Sequence, residues 1–348
     1  MKKKQEFFRG CLVGGAIGDA LGRAVEFKKL KEIISEFGEG GIQDLVLSKS
    51  GKAEITDDTQ MTLFTAEGIL RAQTSNREKG ICHPPSVVFF AYQRWLFTQG
   101  YEKMDEYEWI YDGWLLSIKE LHERRAPGNT CLSSLLSKIQ GTMDEPINNS
   151  KGCGGVMRAA PAGLFYEKEL AFIKGAEFAA LTDGHPSGYL SAGALSYIIA
   201  SIIQGEEIVS TIINTISELK QHKGHDECSQ SLKEALELSR RNMNDRDAIY
   251  KLGEGWVGEE ALAISVYCVL KHHDHFKEAL IAAVNHNGDS DSTGAITGNI
   301  LGAYLGINNI PTNWIEKVDL KEVLLQIADD LLIRNQRGEK WWHRYPGY

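Results

Sequence analysis

The 348-residue chain is 43% hydrophobic and carries 38 Lys and Arg against 47 Asp and Glu, a formal net charge of −9. That length can bury one large core or two ordinary ones, and the acidic balance excludes a general nucleic-acid surface, since such binding rests on Lys and Arg displacing counterions. The six cysteines, Cys11, Cys82, Cys131, Cys153, Cys228 and Cys268, are scattered without a CxxC pair, so reduced thiols in a cytoplasmic setting are expected rather than a zinc knuckle.

Along the chain the dominant period is helical. The start, MKKKQEFFRG, is basic, but the apolar residues after it are crowded with glycines and interrupted by Asp19. No run reaches the ~18 apolar residues of a membrane span, so no membrane partner is expected. Gly10, Gly14, Gly18 and Gly22 stand four apart. A helical glycine costs ~1 kcal/mol against alanine, and close packing is the natural compensation. Residues i and i+4 form one ridge, and a ridge without side chains lets a neighbouring backbone come nearer than the usual ~8–10 Å.

Loops are expected at 26–56, 124–131, 145–158 and 182–188. At the end of the first, ITDDTQMTLFTAEGIL (55–70) sets Asp57 and Asp58 between hydroxyls at the mouth of an apolar helix. A helix cap needs one short oxygen side chain, with Thr56 or Asp57 the candidates. The stretch supplies Thr56, Asp57, Asp58 and Thr59 in succession, and the surplus asks for another use.

Further on, Ile208, Ile212, Ile216 and Leu219 recur at helical spacing, as do Leu232, Ala235 and Leu236, the mark of surface helices. The polar segment from about 205 to 250 reads as a hinge or insertion, yet no Ser/Pro linker marks a boundary, and a single domain over 1–348 is expected. ALAISVYCVL (261–270) is apolar on all sides and fits a central helix. Alternating strand patterns are scarce, so the fold class is all-α.

The last third repeats both earlier features. Gly294, Gly298, Gly302 and Gly306 form a second four-residue ridge, preceded by NHNGDSDST. Asp289 and Asp291 lie two apart with Ser290, Ser292 and Thr293 around them, and in an extended loop alternate side chains face one way. Asp291 or Ser292 could serve as a cap. Two acidic, hydroxyl-rich helix mouths, more than two hundred residues apart, are also what a shared cation site requires. Carboxylates and hydroxyls without thiol or histidine clusters suit a hard ion, Mg²⁺ or Mn²⁺, and four carboxylates suit two ions.

Taken together, GCLVGGAIGDALGRAVEF, ITDDTQMTLF, APGNTC, GCGGVMRAAPAGL, GHPSGYLSAGAL, NHNGDSDSTGAITGN and the terminal WWHRYPGY resemble the ADP-ribosylglycohydrolase family in order and spacing over nearly the whole chain. The resemblance implies a compact orthogonal helical bundle with two Mg²⁺ ions, replaceable by Mn²⁺. It implies Thr56, Asp57 and Asp58 as one ligand set and Asp289, Asp291 and Ser292 as the other. It matches Glu26 to a carboxylate on a mobile loop near the scissile ribose, and the base is expected to be Asp58 or Glu26. Asp19 is expected to bond loop amides.

The substrate then carries a diphosphate and adenine. Gly154 and Gly155 are candidates for an anion nest, Arg158 for a phosphate contact, and His185, Ser187, Gly188 and Tyr189 for the ribose and adenine end. Their structural alternatives are a plain turn, a loop anchor and loop hydrogen bonding. His286 is expected to order the acidic loop, and Trp341, Trp342 and Tyr345 to pack. Thr182–Asp183 departs from the Thr-His the resemblance leads one to expect, and an acid there would repel a diphosphate.

The implied activity is hydrolysis of the bond between ADP-ribose and a modified side chain, foremost N-linked ADP-ribosyl-arginine. The partner is an ADP-ribosylated protein or a small ADP-ribose derivative, and the enzyme is expected to be a monomer. Alternatives are serine-linked, O-acetyl or poly-ADP-ribose substrates, or a non-catalytic ADP-ribose-binding or structural relative. A DxD phosphatase would need a strand before its nucleophile, and DDTQM lacks the third carboxylate of a prenyl-diphosphate synthase.

Overall fold

The computed structural model describes residues 2–347, so Tyr348 of the WWHRYPGY motif lies outside them. In chain order the α-helices begin with α1 (Gln5–Arg23), α2 (Leu30–Phe37), α3 (Asp57–Lys79), α4 (Pro84–Thr98), α5 (Asn129–Leu136) and α6 (Ala160–Phe165). There follow α7 (Lys168–Ala180), α8 (Pro186–Gln204), α9 (Ile208–Leu219), α10 (Asp226–Ser239), α11 (Asp245–Leu252) and α12 (Gly258–Lys271). The last are α13 (Phe276–Val284), α14 (Ser290–Leu305), α15 (Thr312–Lys317), α16 (Lys321–Ile333) and α17 (Glu339–Arg344). Among the described residues the only β pairings are the isolated bridges Ala53–Val318 and Gly152–Val257. The all-α expectation therefore holds.

The centre of the molecule is the antiparallel pair α1 and α14, and the two glycine ridges meet each other. A Cβ built on Gly18 would lie 2.0 Å from the carbonyl oxygen of Gly294, one on Gly298 2.0 Å from that of Gly14, and one on Gly302 1.9 Å from that of Gly10. Those distances leave no room for a methyl group, so backbone-to-backbone contact explains seven of the eight spaced glycines; the eighth, Gly306, ends α14 at φ +81° beside the Glu6 side chain. Packing this close recovers in dispersion and Cα–H···O contacts what the glycines lose in helix propensity.

Several local expectations are refined. The stretch 26–56 is not all loop, since Leu30–Phe37 forms α2 with Ile33 buried. The segment 205–250 is no hinge: α9, α10 and α11 fill it, with Ile212, Leu219, Leu232 and Ala235 in the common core. The helix α12 is buried from Ala261 through Val269, as its all-round apolar pattern predicts. Among the described residues one helix, Pro186–Gln204, is long and apolar enough to cross a membrane, but 89% of its most apolar stretch is buried inside the protein. It is a core helix whose apolar residues are interspersed with serines and glycines, so no unbroken apolar run marks it in the sequence.

Candidate active site

Three features of α1 build the site. Asp19, fully buried, accepts hydrogen bonds from the backbone N–H of Thr56 (2.9 Å) and of Thr59 (3.1 Å), fixing the first turn of α3. Gly22 abuts the start of α14, where an added Cβ would stand 2.4 Å from the Ser290 carbonyl carbon and 2.5 Å from the Asp291 Cα. Just past the helix end comes the loop that carries Glu26. One glycine-rich helix thus holds both acidic helix mouths at its C-terminal end.

The caps account for only part of the acidic residues. Thr56 is the N-cap of α3, its hydroxyl accepting from the Asp58 N–H at 3.3 Å. Asp289, rather than Asp291 or Ser292, is the N-cap of α14, its Oδ1 accepting from the Ser292 N–H at 3.3 Å. Asp57, Asp58 and Asp291 remain as surplus, and all three line one cavity of about 330 Å³ with Glu26, Asp289 and Ser292. The positive ends of two helix dipoles point at this cluster and favour its negative charge.

That charge is poorly compensated by protein groups. Asp57 Oδ2 accepts from the Gly128 N–H at 3.2 Å, and Asp289 Oδ2 accepts from the Cys153 thiol at 2.7 Å. Asp58 Oδ2 and Asp291 Oδ1 are buried without any partner. Burial first, and then the crowd of like charges led by Asp291, pushes Asp58 and Asp289 well above the usual carboxylate range. Asp57 rises for the same reasons, against the pull of the Gly128 amide. Burial and the neighbours Asp291, Asp289 and Asp57 push Glu26 up to about 10, and burial and Asp291 push Asp19 up to about 7. Orphaned buried oxygens in a repelling cluster fit a hard divalent cation. No three His, Cys, Asp or Glu side chains among the described residues already close into a ligand set, so the fit rests on charge and unpaired oxygens.

Gly154 lines the same cavity, whereas Gly155, Arg158, His185, Ser187, Gly188 and Tyr189 do not. Gly155 packs against Ala179 of α7, with 2.7 Å between an added Cβ and the Ala179 Cβ. Arg158 is buried behind the wall, donating to Thr182 Oγ1 at 2.6 Å and lying over the Tyr92 ring at 4.4 Å. His185 caps α8 by accepting from the Ser187 N–H, and the Ser187 hydroxyl donates to Glu227, which Lys151 also holds at 3.0 Å. Gly188 presses on the 150–151 backbone, and Tyr189 is buried. These residues brace the cavity from behind through contacts with α7 and α10 that sequence spacing does not reveal.

Asp183, the departure from the expected pattern, does line the cavity. It accepts from Thr182 Oγ1 at 2.7 Å and Ser150 Oγ at 3.2 Å. Burial raises its carboxyl, while the Arg158 guanidinium pulls it down. The acid expected to repel a diphosphate therefore faces a buried cation that offsets its charge. His286 donates to or accepts from Thr293 Oγ1 at 2.9 Å, ordering the start of α14, and burial lowers it to about 4. Trp341 and Tyr345 are buried as expected, but Trp342 is substantially exposed.

Sequence reasoning missed Phe27 and Trp256, which line the cavity mouth, and the thiols of Cys131 and Cys153. A tryptophan between glycines, in GEGWVG, was the signal available for Trp256.

A family model described as ADP-ribosylglycohydrolase matches residues 1–340. An ADP-ribosyl-[dinitrogen reductase] glycohydrolase of Rhodospirillum rubrum is 27% identical over 329 residues, covering 90% of each chain. The ADP-ribosylarginine hydrolase Tri1 of Serratia proteamaculans is 27% identical over 335 residues, 93% of this chain and 78% of its own. A solved ADP-ribosylglycohydrolase-related protein complex superposes with a TM-score of 0.66 at 22% identity, covering 97% of this chain and 100% of that one, which speaks for the fold. The chain is thus a glycosyl hydrolase of the kind that acts on ADP-ribose linkages. The chain belongs to the ADP-ribosylglycohydrolase family.

Proposed function

We propose that the acidic cavity is the catalytic centre of a metal-dependent hydrolase that releases ADP-ribose from a modified side chain, with the N-glycosidic link to arginine as preferred bond. The observation that carries this reading is the gathering of Glu26, Asp57, Asp58, Asp289 and Asp291 around one cavity, with buried oxygens of Asp58 and Asp291 left unpaired. An unpaired buried carboxylate is costly unless a cation meets it.

Asp57, Asp58, Asp289 and Asp291, with the hydroxyls of Thr56 and Ser292, would hold two Mg²⁺ or Mn²⁺ ions. Four carboxylates balance two divalent charges, which leaves Glu26 over. When bound, such ions template sugar hydroxyls and lower the pKa of a nearby water. Cleavage at an anomeric carbon passes through an oxocarbenium-like state and needs a carboxylate to take the proton of the attacking water. Glu26 and Asp58 are the candidates for that base. The charge balance favours Glu26, which stands on a loop rather than at a helix mouth.

The preference for arginine is supported by the name of the Serratia relative, an ADP-ribosylarginine hydrolase, and a protein-borne substrate by that of the Rhodospirillum relative. The substrate is then an ADP-ribosylated protein or a small ADP-ribose derivative. Hydrolysis assays over arginine-, serine- and acetyl-linked ADP-ribose and poly(ADP-ribose), with and without chelation, test the reading. The arginine link should turn over fastest, with activity lost on chelation and restored by Mg²⁺ or Mn²⁺. Full turnover after exhaustive chelation refutes the metal requirement, and a clear preference for serine-linked or polymeric substrate refutes the arginine assignment.

A further inference from the structure

The mouth of the cavity carries an aromatic pair that the fold alone does not explain. Phe27 and Trp256 stack with ring centroids 5.6 Å apart and 19° between planes, yet Phe27 is 69% and Trp256 39% exposed. Phe27 also adopts φ +63°, a left-handed conformation that a phenylalanine rarely takes. An exposed ring on a strained backbone works against stability on two counts, and such strain gathers at functional sites.

The two rings come from separate segments that are each tied down. Trp256 sits between Gly255 and Val257, and its carbonyl accepts from the Cys153 N–H at 3.2 Å, fixing it to the same ledge as Gly154. The Trp256 indole donates to Glu254 at 3.3 Å, and Lys29, two residues beyond Phe27, donates to the other oxygen of Glu254 at 3.2 Å. Leu30 donates its N–H to Asn287 at 2.7 Å, linking the Phe27 loop to the acidic loop before α14.

Position and charge together specify what the rings meet. Phe27 is the residue next to Glu26, and Glu26 belongs to the carboxylate cluster at which the bond is cut. Both rings line the same cavity as that cluster, so on the hydrolase reading they fall to the side of the bond that departs, whereas adenine lies beyond a ribose and a diphosphate. The group across that bond must suit an aromatic face on the rim of a strongly acidic cavity, and a flat cation meets both demands. We infer that Phe27 and Trp256 form the subsite for the departing side chain and hold the planar guanidinium of arginine-linked ADP-ribose by cation–π contact. This rests on the hydrolase reading above and names the feature of this chain that selects the linkage. A hydroxyl-linked serine offers the rings neither charge nor a plane.

The test compares kcat/KM for arginine-linked and serine-linked ADP-ribose in the metal-supplied enzyme and in the Phe27→Leu, Trp256→Leu, Phe27→Tyr and Trp256→Phe variants. Each leucine variant should lower the arginine-to-serine ratio about tenfold, equivalent to ~1.4 kcal/mol, mainly through KM for the arginine substrate. The aromatic replacements should restore most of the ratio. Trp256→Phe and Phe27→Tyr, which keep a ring on each side of the stack, guard against a mere disturbance of the Glu26 loop. Equal losses on both linkages, or a ratio unmoved in both leucine variants, overturn the subsite and leave the hydrolase reading standing. No turnover of the arginine-linked substrate by the unaltered enzyme overturns the arginine reading, and this subsite falls with it.

Discussion

The sharpest mechanical prediction concerns Gly298→Ala at the middle of the α1–α14 contact. The new Cβ would stand 2.0 Å from the Gly14 carbonyl oxygen, 2.6 Å from its carbon and 3.0 Å from the Gly15 nitrogen. Relief to an ordinary C···O contact of ~3.3 Å or more requires the helices to part by roughly 1 Å. Neither obstacle is the end of a flexible side chain, so the strain falls on two packed backbones. Overpacking costs ~1–3 kcal/mol, here toward the upper end, while alanine returns ~1 kcal/mol of helix propensity. The expected net loss is ~2 kcal/mol, or ~3 °C in Tm for a chain of this length at ~2.1 cal/mol/K per residue. Gly128→Ala is the control: its φ is −60° and a Cβ there meets nothing within 4 Å, so stability should hold or rise slightly. Gly22→Ala, beside Ser290 and Asp291, should lose more activity than Gly298→Ala, because it displaces the acidic loop itself. Denaturant unfolding and calorimetry measure the stabilities. A Gly298→Ala protein as stable as the unaltered one would refute backbone contact as the reason for the ridges.

Two further outcomes concern the acidic cluster. Asp58→Asn and Asp291→Asn should each weaken Mg²⁺ binding in calorimetric titration and cut activity by orders of magnitude, while cation-free stability holds or rises as repulsion is relieved. The double variant should lose far less than the sum, since either half of a shared centre is useless alone. Unchanged metal affinity in both single variants would return the two segments to the role of separate caps. The pH dependence follows from the raised carboxyls, including Asp19 at about 7 and Glu26 at about 10. The folded, cation-free protein holds protons that the unfolded chain releases near its ordinary carboxylate values of ~4, so this part of its stability is full below that range and falls as pH rises through the folded values. Cations need the deprotonated forms, so the rise in Tm given by saturating Mg²⁺ should grow from about pH 5.5 to about pH 8. A Mg²⁺ increment independent of pH would contradict a cluster that titrates on binding.

The sequence alone determined what is local. Helical periodicity is carried by residues three and four apart, so α9, α12 and the two glycine-spaced helices were legible without a structure. The acidic mouths of α3 and α14 were legible as well, because a surplus of carboxylates over what one cap needs is visible within a few residues. Only the tertiary structure decided that the two glycine ridges face each other, since a bare ridge accepts either another backbone or a bulky side chain. It also decided that Asp289 is the cap of α14, a choice among three oxygen side chains set by loop geometry. Arg158, His185 and Ser187 looked like ligand contacts because their chemistry suits phosphate and ribose. The packing of α7, α8 and α10 turns them to Thr182, the α8 backbone and Glu227 instead. The stack of Phe27 on Trp256 joins loops more than two hundred residues apart. Nothing in either stretch taken by itself specifies the other, because such a contact is fixed by how the whole core closes rather than by the propensities of its two segments.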